Sequence, residues 1–138
     1  MKKQFSTSWK GSKQARKQRK YKAEAPLHIR QKMLAAHLSK ELRTKYGRRA
    51  FALRKGDTVK IMTGESRGKS GKVSEVDLKK LRVAIEGIQI TKKEGSKVNL
   101  YFQNSNLMIT ALNMDDKKRE DSIKKEQRTQ ENKKEAKK

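Results

Sequence analysis

A mainly β fold is predicted: a small barrel of SH3-like type, with a basic N-terminal arm containing short helices before it and a charged flexible C-terminal tail after it. Three observations lead there. Apolar and polar residues alternate across residues 51 to 114, glycines punctuate that stretch, and the flanks are too polar to supply a second core. Only 32% of the 138 residues are hydrophobic, so the interior must be small. Closing short twisted strands on themselves encloses few apolar side chains without leaving sheet edges exposed.

The charge divides the chain. Residues 1 to 50 carry 16 basic and 2 acidic side chains, residues 51 to 114 carry 12 and 6, and residues 115 to 138 carry 10 and 7. We read four parts: a basic arm at 1–24, short helices at 25–50, the barrel at 51–114 and a charged tail at 115–138. A net charge of +23 repels itself unless a polyanion neutralises it, which points to a complex with nucleic acid. No internal repeat is apparent, which argues against a solenoid.

In the arm, Lys10, Lys13, Arg16, Lys17, Arg19, Lys20 and Lys22 are interleaved with Gly, Ser and Gln, and the segment to Tyr21 is expected to be disordered when free. After Ala25-Pro26-Leu27, a stripe of Leu34, Leu38 and Leu42 with Met33 reads as helical. Ser39 has the chemistry of an N-cap with Glu41 in the first turn, so the stretch divides into helices over 27–35 and 40–46, the second ended by Gly47. In the barrel, period-two alternation marks Val59 and Ile61, Val73 and Val76, Leu81, Val83 and Ile85, and Ile88 and Ile90 as strands. Asn106 to Met114 supplies a closing strand; Gly64 to Gly71 and Lys93 to Ser96 are connections. In the tail Ile123 is the only large apolar residue, and a mobile segment is expected.

Several function classes are excluded. The absence of cysteine removes disulfides, thiolate metal sites and thiol nucleophiles. No run approaches the roughly 20 apolar residues of a spanning helix, so membrane insertion is not expected. His28 and His37 lie outside any ligand-spaced cluster, and no metal or other cofactor is expected. Asp57, Glu75, Asp77 and Glu86 read as salt-bridged barrel surface and not as paired catalytic carboxylates. The run Gly64-Glu65-Ser66-Arg67-Gly68-Lys69-Ser70 has one residue too few between its glycines for a nucleotide-binding P-loop and leads into a strand instead of a helix. No nucleophile, base and orienting group can be assembled, so no enzyme is expected.

Lys55-Gly56-Asp57-Thr58-Val59-Lys60-Ile61 followed by Gly64 to Val73 resembles the KOW motif, a strand, a basic glycine loop and a second strand opening on Gly-Lys-Val. Its glycines permit tight backbone turns, and Arg67, Lys69 and Lys72 offer phosphate donors. The flanks extend the likeness. Ala25-Pro26-Leu27-His28-Ile29-Arg30, Leu38-Ser39-Lys40-Glu41-Leu42-Arg43, Arg54-Lys55-Gly56-Asp57, Asp77-Leu78-Lys79, Glu86-Gly87 and Ser105-Asn106-Leu107 together resemble the ribosomal L-twenty-four family, L-twenty-six in eukaryotes, over residues 13 to 118. The chain departs from the family pattern at Ala50-Phe51-Ala52-Leu53, where a proline is common, and at Gln103-Asn104, where His-Pro is common.

The resemblance implies a structural protein of the large ribosomal subunit. It would bind the 5′-proximal domain of large-subunit ribosomal RNA early in assembly and lie near the nascent-chain exit. Its implied partners are that RNA, neighbouring large-subunit proteins and factors docking near the exit, in the cytoplasm. The expected RNA contacts are Lys10, Lys13, Arg16, Lys17, Arg19, Lys20 and Lys22 of the arm; His28, Arg30 and Lys32; the cluster Arg43, Arg48 and Arg49; and Arg67, Lys69 and Lys72 of the loop. Trp9 and Tyr21 are candidates for stacking on bases. A transcription elongation factor with such a barrel would need an α/β domain ahead of it, and residues 1 to 50 are too basic and strand-poor for one. A duplex-DNA architectural protein fits the charge but not the loop and its flanks.

Overall fold

The computed structural model describes residues 5–124, with only the backbone of Trp9 and Lys10. A short 3-10 turn, Thr7–Gly11, precedes helix α1 (Ala15–Glu24), which contains only residues of good or fair helix propensity. The arm is thus helical where disorder was expected, yet no residue of α1 is buried, and its packing consists mainly of contacts with the preceding 3-10 turn. Pro26 ends this run by holding Ala25 extended (ψ 133°), and starts α2 (Leu27–Met33) from the N-cap position.

The chain then departs from the predicted helical stripe. Residues Ala35–Leu38 form strand β1, with Ala36 and Leu38 facing the core. The sequence signal was ambiguous because a spacing of four between Leu34 and Leu38 satisfies both the strand period of two and the helix period of 3.6. Helix α3 (Lys40–Tyr46) follows as expected: the Ser39 hydroxyl accepts the Leu42 N–H at 3.4 Å, and Gly47 closes the helix in the left-handed conformation at φ 65°.

The remaining strands are β2 (Ala50–Ala52), β3 (Thr58–Ile61), β4 (Ser70–Asp77), β5 (Arg82–Thr91), β6 (Lys97–Gln103) and β7 (Leu107–Ala111). They form one sheet in the order β2-β1-β7-β3-β4-β5-β6, antiparallel except for β1 beside β7. The Leu81 to Ile90 alternation, read as two strand signals, is a single strand β5 whose pairing with β6 slips between Ala84 and Gln89, around Gly87. Both departures from the family pattern are structural: residues 50–52 are strand β2, and the Asn104 amide donates to the Met33 and Ala35 carbonyls at 3.1 and 2.6 Å, tying the β6–β7 turn to β1.

Leu34, Leu38, Val59, Ile61, Val73, Val83, Ile85, Leu107 and Ile109 are almost wholly sealed from solvent in one cluster. Strands β1 and β5, four places apart in the sheet, feed that cluster, which requires the sheet to curl around it.

Two expectations about charge and order are corrected. Asp57 is not surface: it is fully buried and meets Arg119, itself 2% exposed, in a two-pronged pair at 2.6 and 2.8 Å. The Asp57 carboxylate also accepts the backbone N–H groups of Arg54 and Asn113, both at 2.9 Å. The start of the tail is therefore not loose. A helical segment at 117–124 is anchored by Arg119 and by Ile123, which joins the core cluster at 4% exposure, and Asp116 pairs with Arg54. The rest of the predicted tail, 125–138, lies outside the described residues.

Candidate nucleic-acid interface

The glycine loop between β3 and β4 is built to be rigid. Gly68 N–H donates to the Ile61 carbonyl and Ile61 N–H to the Lys69 carbonyl, both at 2.9 Å, so the loop base continues the strand ladder. Gly64 and Gly68 both adopt φ 88°, a backbone conformation that other residues rarely take. Gly71 serves closeness instead: a Cβ there would stand 2.7 Å from Ile85 Cγ2 and 3.1 Å from the Glu86 carbonyl. On this frame Arg67, Lys69 and Lys72 are all exposed. Among the described residues, none of the three has a carboxylate within ion-pair distance.

The arm presents a second group of cations. Lys13, Arg16, Arg19, Lys20 and Lys22 are exposed and Lys17 is half-buried, all on or next to α1. Lys20 lies 3.8 Å from Glu24, a solvent-screened pair of small energetic weight. Tyr21 packs on Phe5 with ring centroids 4.9 Å apart, so one face of that candidate stacking residue is already covered. The side chains of Lys10 and Trp9 lie outside the described residues.

On α2, His28 and Lys32 are exposed, whereas Arg30 is engaged within the fold. Its guanidinium donates to the Ala25 and Lys79 carbonyls, both at 2.8 Å, and to the Ala23 carbonyl, clamping the end of α1 and the β4–β5 turn. The Arg43, Arg48 and Arg49 cluster also divides. Arg43 Nε donates to the Leu38 carbonyl at 2.7 Å, the Arg48 guanidinium lies 4.9 Å over the Phe51 ring, and Arg49 is exposed. The glycine loop leaves β3 at Ile61, opposite Leu107; the arginine segment follows β1, whose Leu38 pairs with Ile109. The two groups therefore sit toward opposite ends of β7.

The β5–β6 hairpin adds Lys92, Lys93 and Lys97, all exposed, beside the cross-strand pair Ile90 and Val98, 53% and 41% exposed. Nothing local in the sequence sets these lysines apart, since Gly95 marks the segment only as a turn. Arg119 was missed as well; the signal that could have found it is Ile123, one helical turn away on the same face. Among the described residues no group of three or more His, Asp or Glu is placed to hold a metal, and no helix is long and apolar enough to cross a membrane.

Fold and charge layout together define a small basic β protein whose exposed cations suit a polyanionic partner. Residues 12–126 match the family model described as ribosomal proteins L26 eukaryotic, L24p archaeal. The chain is 45% identical over 112 residues to the large ribosomal subunit protein uL24 of Methanosphaera stadtmanae, covering 81% of this chain and 96% of that one. It is 46% identical over 114 residues to the protein of the same name from Methanosarcina barkeri, covering 83% and 98% of the two chains. A third relative so named, from Methanocella arvoryzae, is 46% identical over 112 residues, 81% and 90% of the two. The chain belongs to this family of ribosomal proteins, and its role is structural and not enzymatic.

Proposed function

We propose that this chain is a constituent of the large ribosomal subunit in the cytoplasm, where it binds the 5′-proximal domain of large-subunit ribosomal RNA early in assembly. In this reading it lies near the nascent-chain exit, beside other large-subunit proteins and within reach of factors that dock there. The observation that carries the RNA contact is the pairing of a rigid loop with unneutralised charge: Arg67, Lys69 and Lys72 stand exposed on a backbone fixed by ladder hydrogen bonds. A-form RNA is recognised largely by shape and phosphate position, which rewards donors held at fixed spacing. The helical arm supplies further phosphate contacts from Lys13, Arg16, Lys17, Arg19, Lys20 and Lys22, with Lys10 before them. Lys32, His28 and Arg49 add exposed contacts, while Arg30, Arg43 and Arg48 shape the surface that carries them.

The test is competition binding to the 5′ domain of large-subunit ribosomal RNA against generic structured RNA and duplex DNA, at physiological and raised salt. Retained preference for the ribosomal fragment at raised salt supports recognition by shape above the electrostatic background. Equal loss on all three ligands overturns it and leaves a nonspecific polycation.

A further inference from the structure

A groove of about 360 Å³ lies between α2, the outer strand β2 and the helical segment 117–124, away from the glycine loop. Its walls bring together Lys32, Arg48, Arg54, Lys118 and Arg119 from four separate parts of the chain. Among the described residues, Asp57 and Asp116 pair with Arg119 and Arg54, and neither Lys32 nor Lys118 has a carboxylate within ion-pair distance. Lys32 and Lys118 are exposed.

Arg119 adds an independent sign of a missing acceptor. Its two terminal nitrogens are engaged with Asp57 and with the Asn113 and Ala52 carbonyls, but Nε has no partner, the one such buried side-chain atom among the described residues. A buried guanidinium N–H without an acceptor costs on the order of 1–3 kcal/mol, so natural folds seldom leave one. Phe51, 9% exposed, floors the same groove and carries a guanidinium within about 5 Å on each side of its place in the chain, Arg48 at 4.9 Å and Arg119 at 5.1 Å.

We propose that this groove is a phosphodiester site that receives one stretch of RNA backbone, with Lys32 and Lys118 as its outer phosphate contacts and Arg119 at its base. The inference rests on the RNA-binding reading above, shares Lys32 with it and extends that contact to Lys118 and Arg119 of the docked segment. It also gives the docked segment 117–124 a part in binding, since Lys118 and Arg119 reach the groove only when that segment is folded against β2.

The chain has no cysteine, so Ser122→Cys, an exposed position on the groove wall, introduces a single thiol to which an iron chelate can be tethered. In a complex of the full chain with the 5′ domain of large-subunit ribosomal RNA, hydroxyl radicals released there are expected to cut the RNA at one or two discrete places. Adding Lys32→Gln and Lys118→Gln is expected to abolish those cuts and to lower the slope of log affinity against log salt by about 1.5. Both lysines are exposed, and unchanged thermal melting confirms that the variant folds. Tight RNA binding with no cuts from residue 122, or cuts that persist at full strength in the double lysine variant, overturns the groove while leaving the RNA-binding reading intact. Absence of RNA binding by the unaltered chain overturns both.

Discussion

The Asp57 carboxylate and the Arg119 guanidinium, 62 residues apart in the chain, meet in a two-pronged pair at 2.6 and 2.8 Å in the interior. Removing one partner strands the other without its countercharge. Arg119→Met and Asp57→Ala are each expected to destabilise the fold by about 3 to 5 kcal/mol. The double variant is expected to cost clearly less than the sum, because the stranded charge is then gone. Urea unfolding of the four proteins measures this, and strictly additive losses would show that the two side chains do not act as a pair.

Ile123 closes the same corner from the apolar side. Ile123→Ala is expected to cost about 2 kcal/mol or more, while Ser122→Ala, exposed next to it, stays within about 0.5 kcal/mol. Equal melting temperatures for the two variants would mean that the segment 117–124 is not packed on the barrel.

Gly71 of β4 has no room for a side chain against β5. Gly71→Ala places a methyl group 2.7 Å from Ile85 Cγ2, and is expected to destabilise by about 1 to 3 kcal/mol through overpacking. Lys72→Gln, one residue on and exposed, is expected to leave the melting temperature unchanged and weaken RNA binding instead. A harmless Gly71→Ala would refute the packing role.

Arg30 holds three carbonyls with one planar fork. Arg30→Lys keeps the charge and loses the geometry, and is expected to cost about 1.5 kcal/mol and to speed amide exchange in α1. Exchange unchanged along residues 15–24 would show that α1 is held by other means.

His37 provides a pH test. Burial, reinforced by the nearby Arg43 charge, lowers its pKa from the ordinary 6.5, so the fold favours the neutral ring. The unfolded chain therefore takes up the proton first as pH falls below 6.5, and stability present above that pH is lost toward the lowered value. His37→Gln is expected to shrink the drop in melting temperature between about pH 7.5 and about pH 5. An identical drop in the variant would remove His37 as its source.

Much of the barrel was legible because its strands carry regularly placed apolar residues and its turns carry glycine: β3 alternates strictly, β4 and β5 fall on alternating signals interrupted by register shifts, β7 falls on an apolar run, and Ser39 and Gly47 bound α3 by capping chemistry alone. Strand β1 was not, because leucines four apart satisfy both periods, and its partner β2 is only three residues long. The buried ion pair was hidden for a different reason. Asp57 sits among lysines in the sequence, and nothing local distinguishes an aspartate that will be salt-bridged on the surface from one that will be sealed beneath a distant arginine. The basic residues were readily seen as a class, but which of them face outward depended on backbone carbonyls that only the fold brings near: Arg30 and Arg43 are tied to carbonyls, while Arg49, Arg67 and Lys69 are exposed.

The position of Arg119 along the chain also sets a schedule. A polypeptide emerges from its amino end at roughly 5–20 residues per second, so the 62 residues separating Asp57 from its arginine take about 3 to 12 s to make. Strand β3 gains its partners β4 and β7 during that interval, while the Asp57 carboxylate awaits its counterion to the end of it. The newborn domain is thus expected to stay short of its final stability until the arginine is delivered, and a chain cut off before residue 119 to be cleaved by added protease faster than the full chain.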